Sequence, residues 1–230
     1  MIHSTADGDV RLLTIDRPDR RNALRRTDLD AMADALEEAT EPVVYLHGAG
    51  EVFCAGADLE TVTELDGASA EAFAKRGQSV ANKLAGYDGV VVAGIDGAAR
   101  GGGVELALAC DIRVATPEAT LAETGVTLGL FGAWGGTDRL PAVVGEGNAL
   151  DIALSGRVLS ASEALRMGLV SRVVEDPRSV ADSLAENDPM AMRKIKDRLR
   201  DRSEKAEKEK REATVFGELI EQLDTDEIRS

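Results

Sequence analysis

Residues 96–115 read DGAARGGGVELALACDIRVA and contain the loop, helix and strand that decide the fold. The run Val90–Ile95 before them is apolar and β-branched, which is typical of a buried strand. The apolar run Val104–Ala109 predicts a helix, and Asp111–Ala115 predicts the next strand. Because strand, glycine-rich loop, helix and strand follow one another without a long linker, the stretch indicates a mixed α/β protein.

The same alternation continues toward both ends of the chain. Strands are predicted at Val10–Ile15, Val43–Leu46 and Val170–Val174, and Thr27 and Ser69 are predicted to cap two long helices. Pro189 begins a helical C-terminal region, where an apolar stripe follows a charged stretch: Val215, Phe216, Leu219, Ile220 and Leu223. Such a stripe needs a docking surface on this chain or on another subunit, which favours an oligomer.

Composition limits the classes of function. The chain has 230 residues, 43% of them hydrophobic, and 27 Lys and Arg against 42 Asp and Glu give a formal net charge of −15. This content of apolar side chains excludes global disorder. The negative charge repels phosphate backbones and anionic lipids, so we expect no nucleic-acid or membrane partner. The acid excess is typical both of halophilic proteins and of ordinary acidic surfaces.

The number and spacing of the cysteine and histidine residues indicate neither a metal site nor a catalytic triad. Cys54 and Cys110 have no metal-ligand spacing, so we expect no metal site, no disulfide framework and a reducing, cytoplasmic location. His3 lies in a terminus that is expected to fray, and His47 follows a strand. A Ser-His-Asp or Cys-His catalytic arrangement is therefore poorly supported.

Two glycine-rich loops, Cys54–Asp58 and Arg100–Val104, each follow a predicted strand and lead into a predicted helix. Glycines allow backbone N–H groups to approach a ligand, and two such donors on one carbonyl oxygen form an oxyanion hole. Glu105 lies in the first turn beyond the second loop, a suitable place for a general base. The alternative is that the glycines only permit tight packing and that Glu105 is an ordinary acid at a helix N-terminus.

Five ordered motifs resemble the crotonase family, the enoyl-CoA hydratase/isomerase superfamily. They are RPDRRNAL from Arg17, FCAGADLE from Phe53, the stretch from Asp96, GLFGAWGGTDRLPAVVG from Gly129 and LSGRVLSASEALRMGLVSRVV from Leu154. The resemblance implies a spiral of ββα units over residues 1–187, and a helical C-terminal region over 188–230 for oligomer contacts and site closure. It also implies trimers or dimers of trimers, and an acyl-CoA thioester as substrate with no permanently bound cofactor.

The resemblance also implies roles for individual residues. The amides of Ala57 and Gly102 would form the oxyanion hole, and Glu105 would be the catalytic acid/base. The residues that would line the CoA region are Ala23, Leu24, Ala55, Asp58 and Leu59. Nearby arginines would meet the CoA phosphates, although Glu60 stands where many relatives have a lysine.

The second catalytic glutamate of family hydratases falls on Gly125, where this sequence departs from the pattern. Glu123 lies two residues earlier and would face the same side of an extended segment, so it is the candidate replacement. Phe131 and Trp134 would wall the acyl pocket, or else belong to the core or a subunit interface.

The leading hypothesis for function is syn hydration of 2-enoyl-CoA. The alternatives are another crotonase-type reaction, as an isomerase, decarboxylase or thioesterase, and a non-catalytic acyl-CoA-binding subunit.

Overall fold

The computed structural model describes residues 1–222, which divide into two compact units, Met1–Ala185 and the described residues from Glu186 onward. Leu223, the last residue of the predicted apolar stripe, lies outside the described residues. The first unit contains nine strands: β1 (Ile2–Asp7), β2 (Val10–Ile15), β3 (Val43–Gly48), β4 (Val90–Ile95), β5 (Ala98–Arg100), β6 (Ile112–Ala115), β7 (Thr120–Ala122), β8 (Leu159–Ser160) and β9 (Arg172–Val173).

Eight helices belong to the first unit and two to the second, within the described part of the chain. The first eight are α1 (Arg26–Glu38), α2 (Leu59–Thr63), α3 (Gly67–Ala85), α4 (Gly102–Ala109), α5 (Gly136–Val144), α6 (Glu146–Ser155), α7 (Ala161–Arg166) and α8 (Pro177–Ala185). The second unit contains α9 (Pro189–Arg200) and α10 (Lys205–Gln222).

The strands form two sheets. The larger has the order β1-β2-β3-β4-β6-β9, parallel except for the β1–β2 hairpin, and the smaller has the order β5-β7-β8. From β4 to β7 the chain alternates between the two sheets, and α4 lies between β5 and β6 in this part of the chain. Every residue of α4 is buried, so this short helix carries Glu105 into the interior.

Three local expectations need correction. The N-terminal segment does not fray, because β1 pairs with β2 along its whole length and includes His3. Helix α1 is capped at Arg25, whose backbone N–H donates to the Asp28 carboxylate, so Thr27 lies inside the helix. Helix α3 is capped at Asp66, whose carboxylate accepts from the Ser69 backbone N–H at 2.8 Å; Ser69 is the reciprocal partner of that capping box.

The second unit is a pair of amphipathic helices. Lys194 of α9 pairs with Glu218 of α10 at 2.8 Å. Apolar side chains on both helices remain exposed: Ile195, Leu199, Phe216 and Ile220. The helices α9 and α10 thus leave an uncovered apolar face, as the predicted stripe requires.

Candidate active site

The two glycine-rich loops lie side by side. Cys54 forms a parallel bridge with Ala99, and its carbonyl accepts from the Arg100 N–H at 2.9 Å. Gly56 has φ +83°, and a Cβ there would stand 2.8 Å from the Gly102 nitrogen. Because Gly56 has no side chain, the Gly102 N–H stays open to the adjoining space.

The amides predicted to form the oxyanion hole both face this space. Within the described residues, the N–H groups of Ala57 and Gly102 donate to no other group, and both residues line a cavity of about 210 Å³. Gly102 is also the first residue of α4, where the helix dipole favours negative charge. The pair is therefore arranged to stabilise an oxygen that becomes anionic during a reaction.

Glu105 lines the same cavity, and its carboxylate is held by the backbone of the segment after Phe131. Oε1 accepts from the N–H groups of Trp134 at 2.8 Å and Gly136 at 2.7 Å. Burial raises the pKa of Glu105, while these two amides and Arg139 lower it and so oppose the rise. Oε2 accepts no hydrogen bond from the described residues, so it is available to a substrate or a water molecule.

Two glycines make room for the Glu105 carboxyl group. A Cβ at Gly132 would stand 2.8 Å from the Glu105 Cδ, and a Cβ at Gly136 would stand 2.8 Å from Oε1. Sequence reasoning attached no role to these glycines. The signal was nevertheless present, because FGAWGG places three glycines, Gly132, Gly135 and Gly136, within three residues of Ala133.

Glu123 reaches the cavity from the end of β7. It is 6% exposed, it lines the cavity together with Glu105, and its Oε1 is buried without a hydrogen-bond partner. Burial, together with the Glu105 charge, raises the pKa of Glu123 to about 8. Glu123 is therefore protonated at neutral pH and able to donate a proton, whereas the amides on Glu105 favour its anion.

Gly125 lines the same cavity in a 3-10 turn, Thr124–Leu128. A Cβ at Gly125 would stand 3.1 Å from the Leu130 carbonyl oxygen and 3.1 Å from the Phe131 Cα. Both neighbours are backbone atoms, so a larger side chain at this position would require the backbone at residues 130–131 to move.

The two aromatic candidates occupy different environments. Trp134 is 3% exposed, meets Phe73 edge to face at a centroid distance of 5.7 Å and covers Gly77 and Gly102. Phe131 is 72% exposed at the edge of the cavity. Trp134 thus belongs to the core and also forms the cavity wall, whereas Phe131 lies at the rim.

The remaining candidates form the loop region around α2. Leu24 is buried and bridges Ala57, while Ala55 and Leu59 line the cavity, with Ala23 next to Leu24 in the chain. Asp58 is 4% exposed, caps α2 through the Thr61 N–H and accepts from Arg17 at 2.5 Å. Its carboxylate is therefore fully engaged in holding the loop.

Comparison with known proteins identifies the chain. The family model for enoyl-CoA hydratase/isomerase matches residues 5–229. The chain belongs to the enoyl-CoA hydratase/isomerase family. It is 35% identical over 198 residues to a short-chain-enoyl-CoA hydratase of Clostridium acetobutylicum, a match that covers 81% of this chain and 76% of that protein.

Solved structures of this family agree with the fold. An enoyl-CoA hydratase from Thermoplasma volcanium superposes with a TM-score of 0.90 at 31% identity, over 95% of this chain and 92% of that one. A Thermobifida fusca protein crystallised with acetoacetyl-CoA superposes with a TM-score of 0.88 at 29% identity, over 96% and 95% of the two chains. The predicted family and the crotonase-like α/β fold are confirmed, and the chain is an enzyme of the enoyl-CoA hydratase type.

Two other kinds of site are absent from the described residues. No group of three or more His, Cys, Asp or Glu side chains there is arranged to hold a metal ion. No helix in the same part of the chain has the length and apolar character needed to cross a membrane.

Proposed function

We propose that this enzyme adds water to 2-enoyl-CoA thioesters and forms 3-hydroxyacyl-CoA. The observation that carries the proposal is the meeting, around one cavity, of two open amides, the Glu105 carboxylate held by two backbone N–H groups, and the buried Glu123 carboxyl with an unpartnered Oε1. The thioester carbonyl oxygen accepts from the N–H groups of Ala57 and Gly102. These donors stabilise the negative charge that this oxygen gains as the conjugated system becomes an enolate.

The two glutamates divide the proton transfers. Oε2 of ionised Glu105 accepts a proton from water while the water oxygen bonds to C3, and the C2–C3 π electrons shift toward the carbonyl oxygen. Neutral Glu123 then protonates C2 as the enolate returns to the thioester. For syn addition the two carboxyl groups, which line one cavity, act on the same face of the double bond. Proton exchange with solvent restores the starting states.

The CoA portion is proposed to lie along Ala23, Leu24, Ala55, Asp58 and Leu59. Three arginines near this loop are already paired with carboxylates: Arg17 with Asp58, Arg20 with Glu60 and Arg25 with Asp28. Arg21 and Arg26 are exposed, and we assign them the contacts to the CoA phosphates. The uncovered apolar face of α9 and α10 supports the further proposal of a trimer or a dimer of trimers.

Substitution of Glu105 tests the proposal. The assay follows loss of the conjugated thioester absorbance with crotonyl-CoA, and chromatography identifies the product. Glu105→Gln is expected to lower kcat by about 10²–10⁴-fold, because it removes the base, while the affinity for butyryl-CoA, a saturated analogue, is retained. Glu118→Gln, at an exposed position, is the matched control. Unchanged turnover by Glu105→Gln would refute the assignment.

Gly125 supports a second candidate, because the described structure places no second carboxylate at the position where family hydratases have one. The same oxyanion hole serves any reaction through a thioester enolate, such as double-bond migration or decarboxylation, and also thioester hydrolysis. If the folded enzyme leaves 2-enoyl-CoA unchanged but converts 3-enoyl or β-carboxy thioesters, or releases CoA, this candidate replaces hydration. Tight binding without conversion of any thioester would instead indicate a binding subunit.

A further inference from the structure

A second cavity adjoins the site. It has a volume of about 520 Å³ and lies between α5 and α6. Its lining is largely apolar, and the polar Thr137 and Glu146 on it are exposed. We call it the α5–α6 chamber, and its apolar lining consists of Val126, Leu140, Pro141, Ala149, Leu150 and Ala153.

The chamber and the reactive cavity share part of their walls. Glu123, Gly125, Phe131 and Gly132 line both spaces. Two of the four are glycines, so little side-chain volume separates the oxyanion hole from the chamber. A Cβ at Gly125 would meet the Leu130–Phe131 backbone at 3.1 Å, so the side chains on this shared wall are those of Glu123 and Phe131.

The Glu123 side chain, on the wall shared by the two spaces, can lie next to a hydrocarbon chain. Its pKa of about 8 keeps the carboxyl group neutral at neutral pH. Its Oε1 is buried and has no hydrogen-bond partner among the described residues. An alkyl chain that passes Glu123 therefore meets no buried charge, which would be costly to desolvate.

Trp134 forms another part of the wall of the reactive cavity. Trp134 fills the space against Gly77 and Gly102 and packs on Phe73. The 210 Å³ that remain are below the roughly 300–1,000 Å³ typical of pockets that enclose a whole ligand. The reacting end of an acyl group fits there, and a longer hydrocarbon has to continue elsewhere.

We propose that the α5–α6 chamber binds the distal hydrocarbon of the acyl group, so that the enzyme favours medium-chain over short-chain acyl-CoA. The inference rests on the proposed function and deepens it by naming the substrate class. Each methylene group that leaves water for an apolar environment strengthens binding by about fourfold. Affinity should therefore rise with chain length until the chamber is full.

Calorimetric titration with saturated acyl-CoA esters tests the chamber without requiring turnover. For the wild type, the affinity is expected to rise from butyryl-CoA to octanoyl-CoA and decanoyl-CoA. Ala153→Phe places a ring in the chamber from an exposed position on α6, so the fold should tolerate it. This variant is expected to lower the decanoyl-to-butyryl affinity ratio by about tenfold or more, as two or more lost methylene contacts require.

Leu154→Phe is the matched control, because Leu154 is the next residue, 69% exposed, and does not line the chamber. Its affinity ratio is expected to equal that of the wild type. Leu150→Ala, which enlarges the chamber, should move the preferred chain to a greater length.

An unchanged ratio in Ala153→Phe would overturn the proposal. If Ala153→Phe changes the molar mass measured by light scattering and leaves the decanoyl-to-butyryl affinity ratio unchanged, the proposal is also overturned. That result would indicate that a second copy of the chain covers the chamber. Crotonyl-CoA hydration by the wild type reports separately on the proposed function, so the two failures are distinguishable.

Discussion

Replacement of Glu123 by glutamine should stabilise the protein, by an amount that grows with pH. Burial and the neighbouring Glu105 raise the Glu123 pKa from 4.5 to about 8. Between these two values the folded state holds a proton that the unfolded state releases, so the stability of the wild type falls as pH rises. Glutamine has nearly the same shape and never ionises, so the variant escapes this loss.

The size of the effect follows from the same pKa difference. Each pH unit within the window corresponds to about 1.4 kcal/mol. The stability of Glu123→Gln relative to wild type should therefore be small near pH 5 and reach roughly 3 kcal/mol at pH 7. The loss is present only when the fold keeps Glu123 out of water, which its 6% exposure indicates.

Urea unfolding at fixed protein concentration, followed by circular dichroism from pH 5 to pH 8, measures this difference. Glu118→Gln removes one negative charge from an exposed position and controls for the net charge of −15. Its stability difference should change little with pH. A gain for Glu123→Gln that is equal at all pH values, or absent, would show that Glu123 is not held neutral and would remove its role as proton donor.

Three further predictions follow from the site. Gly132→Ala directs a methyl group at the Glu105 carboxyl, 2.8 Å from Cδ, so turnover of crotonyl-CoA should fall much more than the urea midpoint; equal losses would contradict the reasoning. Gly56→Ala combines φ +83° with contacts of 2.7 Å to the Arg100 carbonyl and 2.8 Å to the Gly102 nitrogen, and it should cost about 1–3 kcal/mol of stability as well as activity. Burial raises the pKa of the Cys54 thiol to about 12, so iodoacetamide should leave it unmodified in the native protein and alkylate it in urea, as mass spectrometry would show.

Strands and helices could be predicted from the sequence wherever the pattern of apolar residues was continuous. Val90–Ile95 is a strand with the predicted bounds, and the pattern Ser-x-x-Glu at Ser160–Glu163, which is typical of a capping box, forms one at the start of α7. The motif order predicted the family and hence the spiral, whereas periodicity alone predicts only a mixed α/β protein. The hairpin strand β1 was missed because its residues, IHSTAD, show no apolar alternation and five of the six are exposed.

The residues of the candidate site could be predicted from the sequence, but their arrangement in space could not. Glycine loops and Glu105 follow from spacing, because a helix start after a glycine run exposes amides next to a carboxylate. The placement of Glu123 depends on tertiary structure: the end of β7 directs its side chain into the cavity that Gly125 only lines. The N–H groups of Trp134 and Gly136 that hold Glu105 are backbone groups. Every residue except proline has such a group, so residue type does not predict which of them bind the carboxylate.

The hydrogen bonds from the Trp134 and Gly136 backbone to Glu105 also limit which substitutions can alter substrate preference without altering catalysis. One short segment, from Phe131 to Gly136, lines the reactive cavity through residues 131–134 and lowers the pKa of the Glu105 carboxyl through two N–H groups. A substitution there that reshapes the pocket will also alter the proton affinity of Glu105. New substrate preference is therefore more easily evolved or engineered on α6, whose residues line only the chamber, than in the segment that holds the carboxylate.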